Sequence, residues 1–124
     1  MLNSDIINSF EGLQKLREGA SKPLPARISF AIIRNLKTLQ PIVEAIQTTY
    51  SELLAKYADP IEGENNRFKV KDGCLDILNQ EMTNLYSLDT EVPLIKIKFS
   101  EIENLHFSLN EIDALYFMIE DGET

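Results

Sequence analysis

One apolar stripe constrains this chain more than any other feature. Ile28, Ile32, Leu36, Leu39, Val43, Ile46, Tyr50, Leu53 and Tyr57 follow one another at alternating spacings of four and three. At 3.6 residues per turn these positions share one face of a helix. The spacing predicts a helix over residues 25–58, roughly 50 Å long at about 1.5 Å per residue. Pro25 suits its first turn, where a missing N–H costs nothing. Pro41 lies inside the pattern. It removes one hydrogen bond and crowds the preceding turn, so a kink near residues 37–41, or two helices meeting almost end to end, is expected. A rod this long and this greasy along one side needs a covering surface, from its own chain or from another copy. Self-association through this helix is the expectation.

The rest of the chain reads as shorter pieces. Ile6, Phe10, Leu13 and Leu16 give a first helix from about Asp5 to Glu18, with Ser4 as its N-cap and Gly19 as its end. Pro23 and Pro25 punctuate the connector that follows. After Asp59-Pro60, a polar segment leads to Arg67–Lys71, which alternates basic and apolar residues as a short strand does. Asp72-Gly73 marks a turn, and Asp72 is placed to cap a third helix from Cys74 to about Leu88, with Leu75, Leu78, Met82, Leu85 and Leu88 as its stripe. Glu91–Phe99 switches to a period of two, with Ile95, Ile97 and Phe99 on one face and Lys96 and Lys98 on the other. We expect it to pair with Arg67–Lys71. Ser108-Leu109-Asn110-Glu111 is a capping box opening a last helix, buried through Ile112, Leu115, Tyr116 and Ile119. The fold class is therefore mainly α. A long Pro-kinked amphipathic helix packs with shorter helices and a small two-stranded β-ribbon, all in a single domain over residues 1–124.

Composition narrows the chemistry. No run of about 18 apolar residues occurs, so no membrane-spanning helix is expected. The opening residues lack a basic segment followed by an apolar one, so no secretory signal is expected either. Cys74 is the sole cysteine, which rules out an intramolecular disulfide and fits a reducing, cytoplasmic setting. The formal net charge of −8 argues against non-specific nucleic-acid binding. That charge is uneven. Residues 1–41 hold six basic and three acidic side chains, and residues 42–124 hold six and seventeen. A metal–thiolate centre needs more than the one cysteine and the one histidine, His106. Asp113, Glu120, Asp121 and Glu123 read as a solvated face. Cys74 with His106 could in principle make a nucleophile and base, and the plainer reading is a small apolar residue at a helix start and a histidine in a turn. No glycine-rich phosphate loop and no nucleophile elbow occur. No enzyme and no cofactor are expected.

The basic first third holds the one candidate site. Arg27, Arg34 and Lys37 fall at spacings of seven and three, flanking the apolar stripe, and Lys22 lies at the same end. Arginine forks and a helix N-terminus both suit phosphate or carboxylate. These four residues either bind an anion or pair with the surplus carboxylates of residues 42–124.

The opening Leu2-Asn3-Ser4-Asp5-Ile6-Ile7, the Leu24-Pro25-Ala26-Arg27-Ile28-Ser29 entry to a helix carrying Arg34-Asn35, and the closing Leu109-Asn110-Glu111-Ile112-Asp113-Ala114-Leu115 resemble small uncharacterised proteins of tailed phages and prophages of Gram-positive bacteria. The resemblance implies a phage origin and no defined active site. Small phage proteins are often virion accessory parts or inhibitors of host defence. The expected function is thus a self-associating interaction protein that binds a host or phage protein. The alternative is an oligomer that sequesters an anionic nucleotide signal on the basic helix face.

Overall fold

The computed structural model describes residues 1–19, 23–65 and 67–120. The stripe forms one unbroken helix, α2, Ala26–Tyr57, with Pro25 as its N-cap residue and Pro41 inside it. It is a single element, not two meeting end to end. A proline in a helix interior costs about 3 kcal/mol. Burial on both sides offsets that cost: Leu39 and Val43 flank Pro41 and are 0% and 5% exposed. Pro41 itself faces solvent, so its ring meets no neighbouring element.

The chain covers its own stripe over most of its length. Ile28, Ile32, Leu36, Leu39, Val43 and Ile46 are all buried. At about 2 kcal/mol for each large side chain removed from water, this burial is the main force holding α2. Helix α1, Asn3–Gly19, packs along α2 through Ile6, Leu13 and Leu16. Helix α4, Leu109–Leu115, lies on α1, and Leu115 and Met118 complete the larger core cluster with Ile97 and Ile102. Towards the C-terminal end of α2 the cover thins. Tyr50 is exposed and Leu53 and Tyr57 are half-buried, and helix α3, Leu75–Tyr86, packs there. Tyr50 and Tyr86 meet at a tilt, their ring centres 6.5 Å apart. Burial, and then Tyr50, push the Tyr86 hydroxyl above the usual phenol value. The inner stripe from Ile28 to Ile46 is therefore covered by the chain itself, one of the two covers that its length called for.

The two expected strands form, but each pairs elsewhere. Phe68–Val70 (β2) pairs antiparallel with Ala58–Pro60 (β1), the residues immediately after α2. Ile97–Lys98 (β3) pairs parallel with Ile119–Glu120 (β4), which we had expected to close the last helix. The β1–β2 pairing is local: a short loop carrying Gly63 at φ +83° turns the chain back on itself. A link from Arg67–Lys71 to Glu91–Phe99 would have to cross α3.

Helix ends also shift for identifiable reasons. α1 begins at Asn3 rather than after a Ser4 cap, because the N-terminus is tied to the chain following α3. The Asn3 N–H donates to the Leu88 carbonyl at 2.9 Å, and its side-chain amide donates to the Leu85 carbonyl at 2.9 Å. The Thr90 hydroxyl donates to Asn3 Oδ1 at 2.7 Å. α3 starts after Cys74 with no side-chain cap, so Asp72 does not cap it. The Ser108 box forms as expected: Glu111 N–H donates to Ser108 Oγ at 3.2 Å, and Ser108 N–H donates to Glu111 Oε1 at 2.8 Å.

One buried polar residue fixes the long segment after α3. Asn35 is 0% exposed on the inner side of α2. Its amide donates to the Ile95 carbonyl at 2.9 Å, and its carbonyl accepts the Ile95 N–H at 2.8 Å. Asn35→Leu would strand both backbone groups of Ile95. It should lower stability by about 2–3 kcal/mol, seen as a lower urea midpoint at constant slope; a loss below about 1 kcal/mol would contradict this role. α1 and α4 meet at Gly12, where a Cβ would stand 3.6 Å from the Ala114 Cβ, an ordinary contact. Gly12→Ala should therefore raise stability by about 0.5–1 kcal/mol in the same assay, since alanine favours the helix and fits.

Candidate functional site

Of the basic residues singled out from the sequence, Arg27 is paired, and Arg34 and Lys37 are exposed. Lys22 lies outside the described residues. Arg27, on the first turn of α2, reaches across to the 3₁₀ turn Phe99–Glu101, where its Nε donates to Glu101. That carboxylate also accepts the Lys98 N–H at 2.8 Å. The Lys98 N–H first, and then the Arg27 guanidinium, hold the Glu101 carboxyl below the usual glutamate value. Lys37 is exposed and borders a groove shared with Phe10, Gln14 and Arg17 of α1. Arg34 is exposed between them. Among the described residues neither Arg34 nor Lys37 forms an ion pair. For Arg27, pairing with a carboxylate of the acidic two-thirds is therefore what the structure shows.

The remaining chemistry-bearing residues are spread out. Cys74 enters α3 beside the hairpin, where its N–H donates to the Lys71 carbonyl, and the Lys71 N–H donates to Tyr57 at the end of α2. His106, with φ +52°, sits in the loop before α4. Its neighbours Leu105 and Phe107 pack on the core cluster that holds Ile28–Leu36 of α2. Residues 36 and 57 stand about 30 Å apart along the helix at 1.5 Å per residue. The cysteine and the histidine thus belong to opposite ends of α2. Glu101 and Glu111, near His106 in sequence, are engaged by Arg27 and by the Ser108 cap. Among the described residues no group of three or more His, Cys, Asp or Glu side chains is placed to hold a metal ion, and no helix is long and apolar enough to cross a membrane.

The most conspicuous surface feature was missed by periodicity. Leu109 is 88% and Tyr116 is 74% exposed. Tyr116 was expected on the buried face of the last helix. α4 instead ends at Leu115, and the chain tightens into the 3₁₀ turn Tyr116–Met118. That change of pitch sends Met118 inward, at 0% exposure, and Tyr116 outward. Tyr116 then borders a groove between α1 and α4, floored by Gly12 and Ala114 and rimmed by Asp5, Lys15 and Asp113. The only local hint was the capping box, which fixed where α4 starts but not where it stops.

Against known protein families, curated proteins and solved structures, the chain finds no match.

The lowered Glu101 value has a direct consequence. A group whose folded value is depressed adds stability that is complete above its unfolded value and fades as the pH falls through the folded one. An NMR titration should place the Glu101 midpoint below the ordinary glutamate value. Arg27→Ala should raise it only part of the way, because the Lys98 N–H remains. Full recovery in Arg27→Ala would show that the ion pair alone sets it.

Proposed function

We propose that the chain is a non-enzymatic interaction protein that acts by occupying the surface of a host or phage protein, in the manner of a phage accessory part or an inhibitor of host defence. The observation that carries this reading is the pair of large side chains left in solvent at the two ends of α4, Leu109 and Tyr116, the second of which borders the α1–α4 groove. Burying a leucine and a tyrosine of this kind is a standard source of interface energy, and aromatic anchors are enriched at binding hot spots. An exposed leucine alone needs no explanation, but a largely exposed aromatic at the edge of a concave surface supports a docking face. The phage assignment rests on the sequence resemblance at both ends of the chain and at the entry to α2.

The nucleotide-sequestering alternative is weaker. Of its four basic residues, Arg27 is held by Glu101. No observation favours it over protein binding.

The test is capture from host extract with the wild-type chain and with a Leu109→Asp, Tyr116→Asp variant, both checked for folding by circular dichroism. Both positions are exposed, so the fold should survive. A protein recovered in stoichiometric amount with the wild type and reduced at least about tenfold with the variant is the expected result. Equal recoveries would show that this face is not the binding surface.

A further inference from the structure

The inner stripe of α2 is consumed within the chain, but the helix has a second pattern on its outer side. Phe30, Arg34, Lys37, Pro41, Glu44 and Thr48 again alternate spacings of four and three, and every one is exposed. Phe30 is the bulky member, at 59% exposure on the N-terminal half. On the C-terminal half the same side of the helix carries small side chains. Thr48, Ser51 and Ala55 form a shallow hollow edged by Glu44, Gln47 and Glu52. Charge is divided the same way. Residues 26–43 of α2 carry Arg27, Arg34 and Lys37 and no acid, whereas Glu44 and Glu52 lie beyond, with Lys56 in the last turn. Among the described residues Glu44 meets only the Gln40 amide of its own helix, at 3.3 Å, and Glu52 has no ion-pair partner. Pro41 lies at the centre of this face and has no N–H to offer the Lys37 carbonyl.

We infer that the outer face of α2 binds a second copy of the chain, antiparallel, about a twofold axis passing near Pro41. An isologous interface needs a surface complementary to itself, and this one is. Reversing the helix about Pro41 sets Phe30 of one copy over the Thr48–Ser51–Ala55 hollow of the other. It sets Lys37 beside Glu44 and brings Arg34 between Glu44 and Glu52. Each contact occurs twice. The 4–3 spacing is that of helices crossing at a shallow angle. The inference rests on reading the chain as a binding protein. It uses a different face from the α1–α4 groove, so the two stand or fall separately.

Sedimentation equilibrium on the intact chain is the test. The wild type should be a dimer. Lys37→Glu should weaken it by about tenfold or more through like-charge contact with Glu44, and Phe30→Ala should do the same by emptying the hollow. Lys37→Glu combined with Glu44→Lys in the same chain should restore the wild-type constant to within a few-fold, which a merely misfolded variant would not do. A monomeric wild type, or a dimer indifferent to Lys37→Glu, would overturn the inference. Partner capture by Lys37→Glu, whose substitution is remote from Leu109 and Tyr116, reports separately on the groove.

Discussion

Two hydrogen bonds between the Asn35 side chain and the backbone of Ile95, one donated by each, hold the arrangement together. They join the N-terminal half of the longest helix to a segment that has little regular structure of its own. With Ile95 fixed, Ile97 falls into the core and β3 lies where β4 can reach it. The next turn then brings Glu101 to Arg27. A buried amide with both ends satisfied is stable only in one register, because a shift by a single residue would leave donors and acceptors unpaired in an apolar setting. Asn3 plays the matching part at the other end, tying the chain start to the residues after α3. Apolar burial supplies most of the energy; these two asparagines select the geometry in which it is realised.

Periodicity made the helices legible. The α2 stripe gave the helix almost to the residue, including its passage through Pro41, because nine apolar positions in phase outweigh one proline. The Ser108–Glu111 box gave the start of α4, because both of its hydrogen bonds are local. Strand pairing was not legible. Arg67–Lys71 and Glu91–Phe99 both look like strands, and alternation says which face is apolar but not which edge will be adjacent. The choice went to the nearer partner for β2 and to the C-terminal turn for β3. The end of α4 was hidden as well, since a tightening from α to 3₁₀ pitch leaves no mark in composition, and Tyr116 was misplaced as a result. Asn35 stood among the basic residues as a polar neighbour, and nothing in its spacing announced that it would be the one buried.

The same geometry redistributes the possible functions. The length of the stripe argued for a partner copy along the greasy side, and the chain's own α1, α4 and β3–Ile102 region took that place. What the chain leaves outward is the α1–α4 groove with Tyr116 at its edge, the exposed Leu109, and the polar back of α2. Arg27, once a candidate anion ligand, is a fastener between α2 and the Phe99–Glu101 turn. The acidic excess of residues 42–124 is thus partly used internally, and the basic first third is not a single open surface.

Native-state hydrogen exchange followed over a wide range of protein concentration tests most directly that one copy covers its own central helix. The amides between Ile28 and Ile46 should be the slowest to exchange, opening only with global unfolding, and their protection should be unchanged on dilution far below any association constant. Protection of that stretch that disappears as the chain is diluted would mean that a neighbouring molecule, and not the chain itself, shields the stripe.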